Sequence, residues 1–502
     1  MKYSTCLVFL PLLLVAGCGS QQSKNSNGAP AVATDALKGA ATDPGVRSFY
    51  NAEGWQAVWS KKAEKALGQV LSKRAENGLD HVVFLTNAAK QSPEMREVSL
   101  TKAALAYASA LAKGVIDPKG GLYKIYATPR PDPDLAAGLR SALQSDKLEE
   151  WFASLPPHDA EYCALSLVYR QMRQVTGDKA SAGIAATGAH IRPGQADPRI
   201  PEIATVLHTI GYLPVAADRK SNRYTPAIAK AVREFQKDSG DKPDGTIGPD
   251  TIDELNTAPA DRARAAAVAL ERRRWLERTP AATRIDVNIA TASLSYIRGG
   301  QVADQRRVIV GQPGWETPQL KASLYRLVAN PTWTVPKSIQ EKEMSHVSAG
   351  YLGRHHMVWK NGRIVQLSGP DNSLGLVKFD LDDPYAIYLH DTPEKSWFAT
   401  DTRARSHGCV RVQDALGFAQ MIAADEQVTG DWQKAQATGK ESFVKLPHPI
   451  TVRLLYHPTW ADGSGVHFNQ DIYGWNEPIA GPLGFGPGRA RRMAPPVNDV
   501  SP

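Results

Sequence analysis

The feature that most constrains this chain is a histidine and a cysteine held in one stretch, residues 385–415, which reads YAIYLHDTPEKSWFATDTRARSHGCVRVQDA. Its first five residues are apolar or aromatic, and they predict a strand that ends at His390, because the Asp-Thr-Pro that follows favours a turn. A Ser-His-Gly-Cys turn then precedes a short apolar run and a helix capped by Asp414. The glycine lets the backbone turn sharply, so the Cys409 thiol is predicted to be an exposed nucleophile.

A thiol and an imidazole in one cleft are the groups that cysteine acyl transfer needs. A free thiol has a pKa of about 8.5 and is mostly protonated at neutral pH, so a base must take its proton and later protonate the leaving amine. His390 is the candidate base, and the backbone N–H groups around Gly408 and Cys409 are candidate donors to an oxyanion. Arg411 alternates with Cys409 along the apolar run, so it can share the face of the thiol and bind a substrate carboxylate.

Simpler interpretations of the same two residues exist. Free cysteines are usually buried, so Cys409 can be a small core residue and His390 a histidine at the end of a strand. The SHGC turn and the His-Asp pair that closes the strand favour catalysis. A papain-like or wall-endopeptidase fold is disfavoured by chain order, because the nucleophilic cysteine of those enzymes usually precedes the histidine, whereas Cys409 follows His390 here.

The spacing of the histidine, the SHGC turn and the arginine after it resembles the signature of the L,D-transpeptidases with a YkuD-type catalytic domain. The run YLHDTP…SHGCVRV is similar more narrowly to their YcbB-like branch, which crosslinks peptidoglycan. Residues 330–336 (NPTWTVP) and 369–375 (GPDNSLG) resemble that branch as well, and the similarity covers most of residues 45–475. The resemblance implies the nucleophile Cys409, the base His390, the oxyanion-side residues Ser406, His407 and Gly408, and the substrate-binding residues Arg411, Tyr388 and Trp333.

The N-terminus has the pattern of an exported lipoprotein. A lysine and the apolar run CLVFLPLLLV in residues 1–17 predict a cleaved signal, because the run is too short to span a bilayer. VAGC, residues 15–18, resembles a bacterial lipobox, which implies that Cys18 becomes the lipidated first residue; ordinary signal cleavage nearby is the alternative. Gly and Ser follow without an aspartate, which by the Gram-negative sorting pattern indicates the outer membrane. The predicted location is the periplasm within the cell envelope, with the membrane reached only through the N-terminal lipid.

Charge and cysteine content bear on the class of partner. The excess of Lys and Arg (59) over Asp and Glu (51) is modest and spread out, with no basic block interleaved with aromatics. This distribution disfavours nucleic acid and suits a carboxylate-bearing cell wall. Cys163 is predicted to be a buried helix residue, because a disulfide between it and Cys409 would silence the nucleophile. The His355-His356 pair has no carboxylate or thiol at ligand spacing, so no metal site is expected there.

The hydrophobic period changes along the chain, which indicates several domains in 502 residues. The stretch AVREFQKDSGDKPDGTIGPDTIDEL resembles the peptidoglycan-binding domain type 1, a three-helix wall-binding module; a spacer without wall affinity is the alternative. The three arginines at 272–274 indicate a solvated helix face or an interdomain contact, and Trp275 is predicted to pack into the catalytic domain. Trp333 lies between prolines and is predicted to be rigid and exposed.

These changes of period and composition divide the chain into segments. The predicted segments are a lipoprotein signal peptide (1–17), a flexible tether (18–44), a helical scaffold domain (45–195), a peptidoglycan-binding domain (196–258), a connecting helix (259–282), a catalytic domain (283–475) with a lid insertion at about 339–380, and a disordered tail (476–502). The predicted fold class is multidomain α+β, with a mainly β L,D-transpeptidase catalytic domain, a helical scaffold and a small three-helix peptidoglycan-binding domain.

The resemblance also implies a reaction. The Cys409 thiolate attacks the third residue of a tetrapeptide stem, expels the terminal D-Ala, and passes the acyl group to the amine of a second stem in a 3→3 crosslink. No metal or organic cofactor is needed, peptidoglycan stem peptides are the partners, and carbapenems are expected to acylate the same thiol. The sequence leaves open the same Cys-His chemistry used by a carboxypeptidase or with another amine acceptor, and a non-enzymatic peptidoglycan-binding lipoprotein.

Overall fold

The computed structural model of the chain describes residues 32–86, 90–119, 128, 130–177, 184–239, 242–400 and 402–488. The predicted signal peptide, the lipidation at Cys18 and the first part of the predicted tether lie outside the described residues. The tether prediction is wrong after that point, because Thr34–Ala40 is a helix and Leu37 is buried in an apolar core. Within the described ranges, no helix has the length and apolarity that crossing a bilayer requires.

The described chain before the first strand is helical and is gathered around one apolar core. Its helices are α1 (Thr34–Ala40), α2 (Pro44–Ala52), α3 (Lys61–Ser72), α4 (Pro93–Lys113), α5 (Leu135–Gln144), α6 (Leu148–Ser154), α7 (Ala160–Gly177), α8 (Ile200–Thr209), α9 (Pro226–Ser239) and α10 (Pro249–Arg274). Polar caps begin several of them: the Asp43 carboxylate accepts from N–H groups of α2, and the Ser60 hydroxyl accepts from α3.

Helix α10 corrects the prediction of a separate connecting helix. It runs from Pro249 to Arg274 without a break, so the last helix of the predicted three-helix module and the charged helix are one element. Arg274 is buried, pairs with Glu271 at 2.7 Å and donates to the Tyr162 hydroxyl at 2.9 Å. Trp275 packs in the helical core and donates to Glu271 at 3.1 Å, so its predicted place in the catalytic domain is wrong.

The end of α10 also joins the helical part to the strands that follow. Arg273 forms ion pairs with Asp159, which directly precedes α7, and with Glu161 in α7, at 3.0 and 2.9 Å. Arg272 donates to the Trp475 carbonyl at 2.9 Å, and its guanidinium lies 5.0 Å from the Tyr456 ring centroid. The arginine run is therefore an interdomain contact, which is one of the two alternatives that the sequence left open.

The rest of the described chain is mainly β. Its strands are β1 (Arg284–Asn288), β2 (Ser293–Arg298), β3 (Gln301–Gly311), β4 (Leu320–Ala329), β5 (Trp333–Thr334), β6 (Met357–Lys360), β7 (Arg363–Gln366), β8 (Val377–Leu381), β9 (Leu389–His390), β10 (Ala404–Ser406), β11 (Val410–Val412), β12 (Ser442–Leu455), β13 (Thr459–Asp462) and β14 (Gly465–Phe468). Its helices are α11 (Lys337–Lys342), α12 (Ala349–Arg354), α13 (Ala415–Asp425), α14 (Thr429–Ala437) and α15 (Glu477–Ala480).

Nine strands form one barrel-like sheet in the order β10-β3-β11-β9-β8-β4-β12-β1-β2, and a further pairing of β2 with β3 closes it. Buried and half-buried residues alternate along β1, as expected for a strand with one face on a core. Phe418 of α13 and Trp432 of α14 are fully buried in the same core. With the helical part, this gives the multidomain α+β fold class that the sequence predicts.

The insertion between β4 and β8 has a core of its own. Strands β5, β7 and β6 form a separate three-stranded sheet, and Trp333 is only 1% exposed among apolar side chains such as Ile339 and Ile364. The prediction of an exposed Trp333 is therefore wrong. The predicted lid at about 339–380 also extends too far, because Val377–Leu381 pairs with β4 inside the barrel.

The C-terminal segment is ordered for longer than predicted. Ile479 and Leu483 are fully buried in the helical core, and the Phe485 ring lies 4.8 Å from the His81 ring. The predicted disordered tail is thus wrong for residues 476–488, because apolar side chains that the sequence places among Gly and Pro find a surface on the helices. Residues 489–502 lie outside the described residues.

Candidate active site

The site is built on two short parallel strands, β9 and β11, that lie side by side in the barrel. They pair so that Arg411 lies opposite His390, while Leu389 and Val410 point into the apolar core. Successive side chains alternate between the faces of a strand, so their neighbours share the other face. The side chains on that face are Tyr388, His390, Cys409 and Arg411.

The approach to β9 is a loop rather than the strand predicted over residues 385–390. Ala386 has a φ of 57°, outside the extended region. The Asp383 carboxylate accepts hydrogen bonds from the N–H groups of Tyr385 and Ile387, at 2.8 and 3.4 Å. Only Leu389–His390 remains a strand, so Tyr388 enters the site from the end of a turn.

The SHGC turn is fixed by hydrogen bonds within itself. The Ser406 hydroxyl donates to the Cys409 carbonyl at 2.6 Å and accepts from the Gly408 N–H at 3.2 Å. Gly408 has a φ of 115°, which side chains strongly disfavour. The Thr317 hydroxyl donates to the Gly408 carbonyl at 2.9 Å. Because the Gly408 N–H bonds to Ser406, that group is engaged inside the turn and is not a free oxyanion donor in this state.

Cys409 is 7% exposed, and its thiol lies against Tyr388. Burial raises the pKa of the thiol to about 11, while hydrogen bonds from the Tyr388 backbone and hydroxyl and the charge of Lys378 offset part of the rise. The predicted exposed nucleophile is therefore nearly covered, and its resting form is the neutral thiol. Cys163, the other free cysteine among the described residues, is half-buried on α7 rather than buried as predicted.

His390 is held as a neutral base. Its Nδ1 lies 2.5 Å from the Asp391 carbonyl oxygen, and a carbonyl only accepts, so the proton belongs on Nδ1 and the lone pair on Nε2. That Nε2 atom is buried without a hydrogen-bond partner among the described residues. Burial lowers the pKa of His390 well below its ordinary value, and the charges of Arg411 and Lys378 act in the same direction.

Tyr388 connects the thiol to the insertion. Its hydroxyl bonds to the Cys409 thiol, and the Trp333 indole is among the groups beside it. The Tyr388 ring lies 5.6 Å from the His390 ring. The Lys378 Nζ lies 4.5 Å from the centroid of the Tyr388 ring. Burial raises the pKa of Tyr388 well above its ordinary value, so the phenol stays protonated and can donate. Of the two predicted lining residues, Tyr388 touches the nucleophile, while Trp333 is buried in the core of the insertion and lies beside Tyr388.

His407 and Arg411 make contacts that the sequence does not indicate. The His407 Nε2 lies 2.8 Å from the Glu343 carboxylate, next to α11, and its ring meets Trp315 edge-on at 4.7 Å. This imidazole therefore joins the turn to the insertion. Arg411 is fully buried, with its guanidinium 5.2 Å from the Trp397 ring centroid. Its contact with substrate stays a prediction.

Sequence reasoning missed Lys378, Thr317 and Glu343. Lys378 lies directly opposite His390 in the antiparallel pair of β8 and β9. The alternation in VKFDL, the last strand before the site, was a signal that could have found it. Thr317 and Glu343 lie in loops with no local pattern that points to the SHGC turn. Within the described ranges, no group of three His, Cys, Asp or Glu side chains is arranged to hold a metal ion.

Three parts of the chain match family models. Residues 282–431 match YkuD, the L,D-transpeptidase catalytic domain. Residues 44–167 match a scaffold domain, and residues 197–255 match the family described as "Putative peptidoglycan binding domain". A 222-residue region is 29% identical to a Haemophilus influenzae protein named "Putative L,D-transpeptidase"; the match covers 39% of this chain and 45% of that relative. The chain thus spans less than half the length of that relative.

Two solved structures show weaker similarity. One is the L,D-transpeptidase (residues 123–326) from Xylanimonas cellulosilytica, with 18% identity and a TM-score of 0.18 over 54% of this chain and 98% of that chain. The other is the Ldtfm-avibactam carbamoyl enzyme, with 14% identity and a TM-score of 0.18 over 35% of this chain and 49% of that chain. The assignment of domains therefore rests on the family matches.

Proposed function

The chain carries an L,D-transpeptidase catalytic domain of the YkuD type, a scaffold domain and a peptidoglycan-binding domain, and from this premise we propose that it crosslinks peptidoglycan stems in 3→3 linkage through a thioester on Cys409. One observation carries the proposal. Cys409, Tyr388 and His390 share one face of two paired strands, and the imidazole is neutral with a lone pair on a buried, unpartnered Nε2. This arrangement suits proton transfer from a thiol better than a structural role does.

In the proposed first step, the Cys409 Sγ attacks the carbonyl carbon of the third residue of a tetrapeptide stem. His390 Nε2 takes the thiol proton as the S–C bond forms, so charge separates only while substrate is present. The bond from that carbonyl to the terminal D-Ala then breaks, and the imidazolium gives the proton to the leaving amine. A thiol with a raised pKa and an imidazole with a lowered one favour this concerted transfer over a preformed ion pair.

The tetrahedral intermediate of this step needs hydrogen-bond donors. The Tyr388 hydroxyl bonds to the thiol in the resting state and stays protonated, so it is available to donate to the oxyanion. Ser406 and Thr317 hold the turn that carries Cys409, which keeps the nucleophile oriented. Ser406 and Gly408 thereby have positioning roles, and His407 supports the turn through Glu343.

In the proposed second step, the side-chain amine of another stem attacks the thioester and releases Cys409. Water in place of the amine gives a carboxypeptidase, and the catalytic residues are the same. The peptidoglycan-binding domain supports the cell wall as substrate and the periplasm within the cell envelope as location. Lipid anchoring at Cys18, delivery to the outer membrane, and acylation of Cys409 by carbapenems belong to the same proposal.

The test is product analysis with the full chain in detergent. We expect incubation with a disaccharide-tetrapeptide to give a dimer whose mass equals two donors minus one alanine, together with free D-Ala. Fragmentation should place the new bond between the third residues of the two stems. Disaccharide-tripeptide as the main product would identify a carboxypeptidase, and unchanged donor would refute both activities.

The resting state of the thiol gives a pH prediction. Because the pKa of Cys409 is raised to about 11, the thiolate fraction near pH 7 is about 10⁻⁴ and grows about tenfold per pH unit. We expect alkylation of Cys409 by iodoacetamide to accelerate by about that factor per unit from pH 7 to pH 10. Peptide mass spectrometry separates this signal from alkylation of Cys163.

Acylation by the tetrapeptide should behave differently over the same range. A lowered His390 pKa means that the imidazole loses its proton well below pH 6.5 and remains a base at every higher pH. The acylation rate should therefore stay level from pH 7 to 8 and fall only in clearly acidic buffer. An alkylation rate that is level from pH 6 to 8 would instead indicate a thiolate–imidazolium pair and contradict the neutral resting state.

A further inference from the structure

Three strands place a row of basic side chains across the floor of the site. Lys378 in β8 lies opposite His390 in β9, and His390 lies opposite Arg411 in β11. The three residues are therefore on one face, with the imidazole between two cations. The same face carries Cys409, which directly precedes β11 and lies two residues before Arg411. The positive charges on both sides of His390 attract any anionic group that approaches the thiol.

Lys378 belongs to a group with more positive than negative charge. Its Nζ lies 2.7 Å from the Asp380 carboxylate, and Asp380 also pairs with Arg326 at 2.5 Å. One buried carboxylate therefore faces two cations. Lys395 and Asp391 pair with each other nearby and add no net charge. The positive charge at Lys378 is only partly compensated, which favours an anionic ligand beside it.

The two cations that flank His390 differ in how accessible they are to a ligand. Arg411 is 0% exposed and stacks on Trp397, so its guanidinium meets a ligand only after the site rearranges. The Lys378 side chain is 25% exposed, and its Nζ lies over the face of Tyr388, the residue that touches the thiol. A lysine is also a flexible point charge that can turn toward a ligand. Lys378 is thus the cation that a donor bound at Cys409 meets first.

We propose that Lys378 is a specificity-determining residue that binds the free α-carboxylate of the D-amino acid that leaves from the donor stem. This inference rests on the proposed function. The leaving amine must come close to His390 to receive its proton, and its carboxylate is one carbon away from that nitrogen. A carboxylate in this position lies on the same side as the ammonium opposite His390. The site therefore takes donors that end in a free carboxylate.

The binding also helps the proton transfer. Before the donor arrives, the charges of Lys378 and Arg411 oppose a proton on His390. A carboxylate paired with the Lys378 ammonium neutralises one of these charges while the donor is bound. The imidazole then becomes a stronger base in the complex than in the free protein. A donor without the carboxylate lacks this effect and is predicted to react more slowly as well as bind less tightly.

The experiment compares two donors that differ in one group: a disaccharide-tetrapeptide with a free C-terminal carboxylate, and the same donor as its C-terminal carboxamide. Release of D-Ala and of D-alaninamide is measured with the full chain. Wild type should favour the acid by about 10- to 100-fold in kcat/KM, the scale of a hydrogen bond to a charged group. Lys378→Met should lose that preference, because it removes the partner of the carboxylate and leaves nothing at this position that distinguishes the acid from the carboxamide. Lys378→Arg should restore part of it.

Lys434→Met, an exposed lysine on α14, is the matched control and should keep the wild-type preference. Thermal melting of each variant shows whether the fold is intact. Equal loss with both donors in folded Lys378→Met would assign Lys378 to support of the thiol or of Tyr388 and overturn the proposal. A wild type that does not distinguish the donors would overturn it too.

A binding measurement separates this proposal from the proposed function. In the Cys409→Ala background, calorimetry measures the affinity of both donors without turnover. Tighter binding of the acid that Lys378→Met abolishes would support the carboxylate site even if wild type released no D-Ala. Equal affinity for acid and carboxamide, with D-Ala release intact in wild type, would refute the carboxylate site and leave the transpeptidase proposal standing.

Discussion

Replacing Cys409 with alanine should abolish both the covalent intermediate and the release of D-Ala, by a factor of at least about 10⁴ in rate. The reason is that Cys409 is the only described thiol on the shared face, and a thioester forms only on a thiol. The measurement is intact-protein mass after mixing with disaccharide-tetrapeptide. Wild type should gain the mass of the donor minus alanine, and Cys409→Ala should gain nothing.

Cys163→Ala is the matched control for this experiment, because it removes the other free thiol that the structure describes and lies on α7, outside the barrel. It should keep both the adduct and D-Ala release. Cys409→Ala removes one small buried atom, so its free energy of unfolding should fall by no more than about 1.5 kcal/mol. An adduct that persists in folded Cys409→Ala, or vanishes in Cys163→Ala, would move the nucleophile away from Cys409.

Replacing His390 with alanine should lower the acylation rate by at least about 100-fold, the scale of lost general acid–base help. The effect should be large because the resting thiol keeps its proton near neutral pH, so without the Nε2 acceptor little thiolate forms. The measurement is the rate of the same mass gain in single-turnover conditions. The loss of acylation rate should be smaller in alkaline buffer, because solvent hydroxide deprotonates a larger fraction of the thiol.

The second imidazole of the site supplies the matched control for His390. His407 is two residues from the nucleophile but bonds to Glu343, so His407→Ala should reduce acylation by less than about tenfold. Both variants are checked for folding by thermal melting. A larger loss in His407→Ala than in His390→Ala would make His407 the base. Near-normal acylation in His390→Ala would show that His390 is not the base.

The sequence predicted the parts of the site that local chemistry encodes. The histidine after an apolar run, the SHGC turn and the alternation of Cys409 with Arg411 depend on neighbours in the chain, and the β9–β11 pairing keeps these residues together. Lys378 was missed because its position depends on the β8–β9 register, which places it opposite His390 across twelve residues of chain. Local periodicity does not indicate which strands become neighbours.

Errors elsewhere have a similar physical origin. Trp333 between prolines resembles an exposed element, but the insertion folds a second core, and a large indole is stabilised more by burial than by exposure. For the arginine run at 272–274 the sequence left a solvated helix face and an interdomain contact open, because the buried partners of Arg274, which are Glu271 and Tyr162, come together only in the folded chain. The tail was predicted to be disordered from its Gly and Pro content, although Leu483 finds a place in the helical core.

Helix α10 has a consequence for how the wall and the cleft meet. It begins inside the region that matches the peptidoglycan-binding domain and ends in the arginine contacts at the barrel, with 26 residues and no break. At 1.5 Å per residue the helix extends over about 39 Å, with Pro259 in its interior. A wall strand bound at one end of this helix would lie at a fixed distance from the Cys409 thiol, whereas a flexible linker would allow a range of distances. If the module holds the wall and the protein forms crosslinks as proposed, the length of this one helix sets how far from the held strand each crosslink forms.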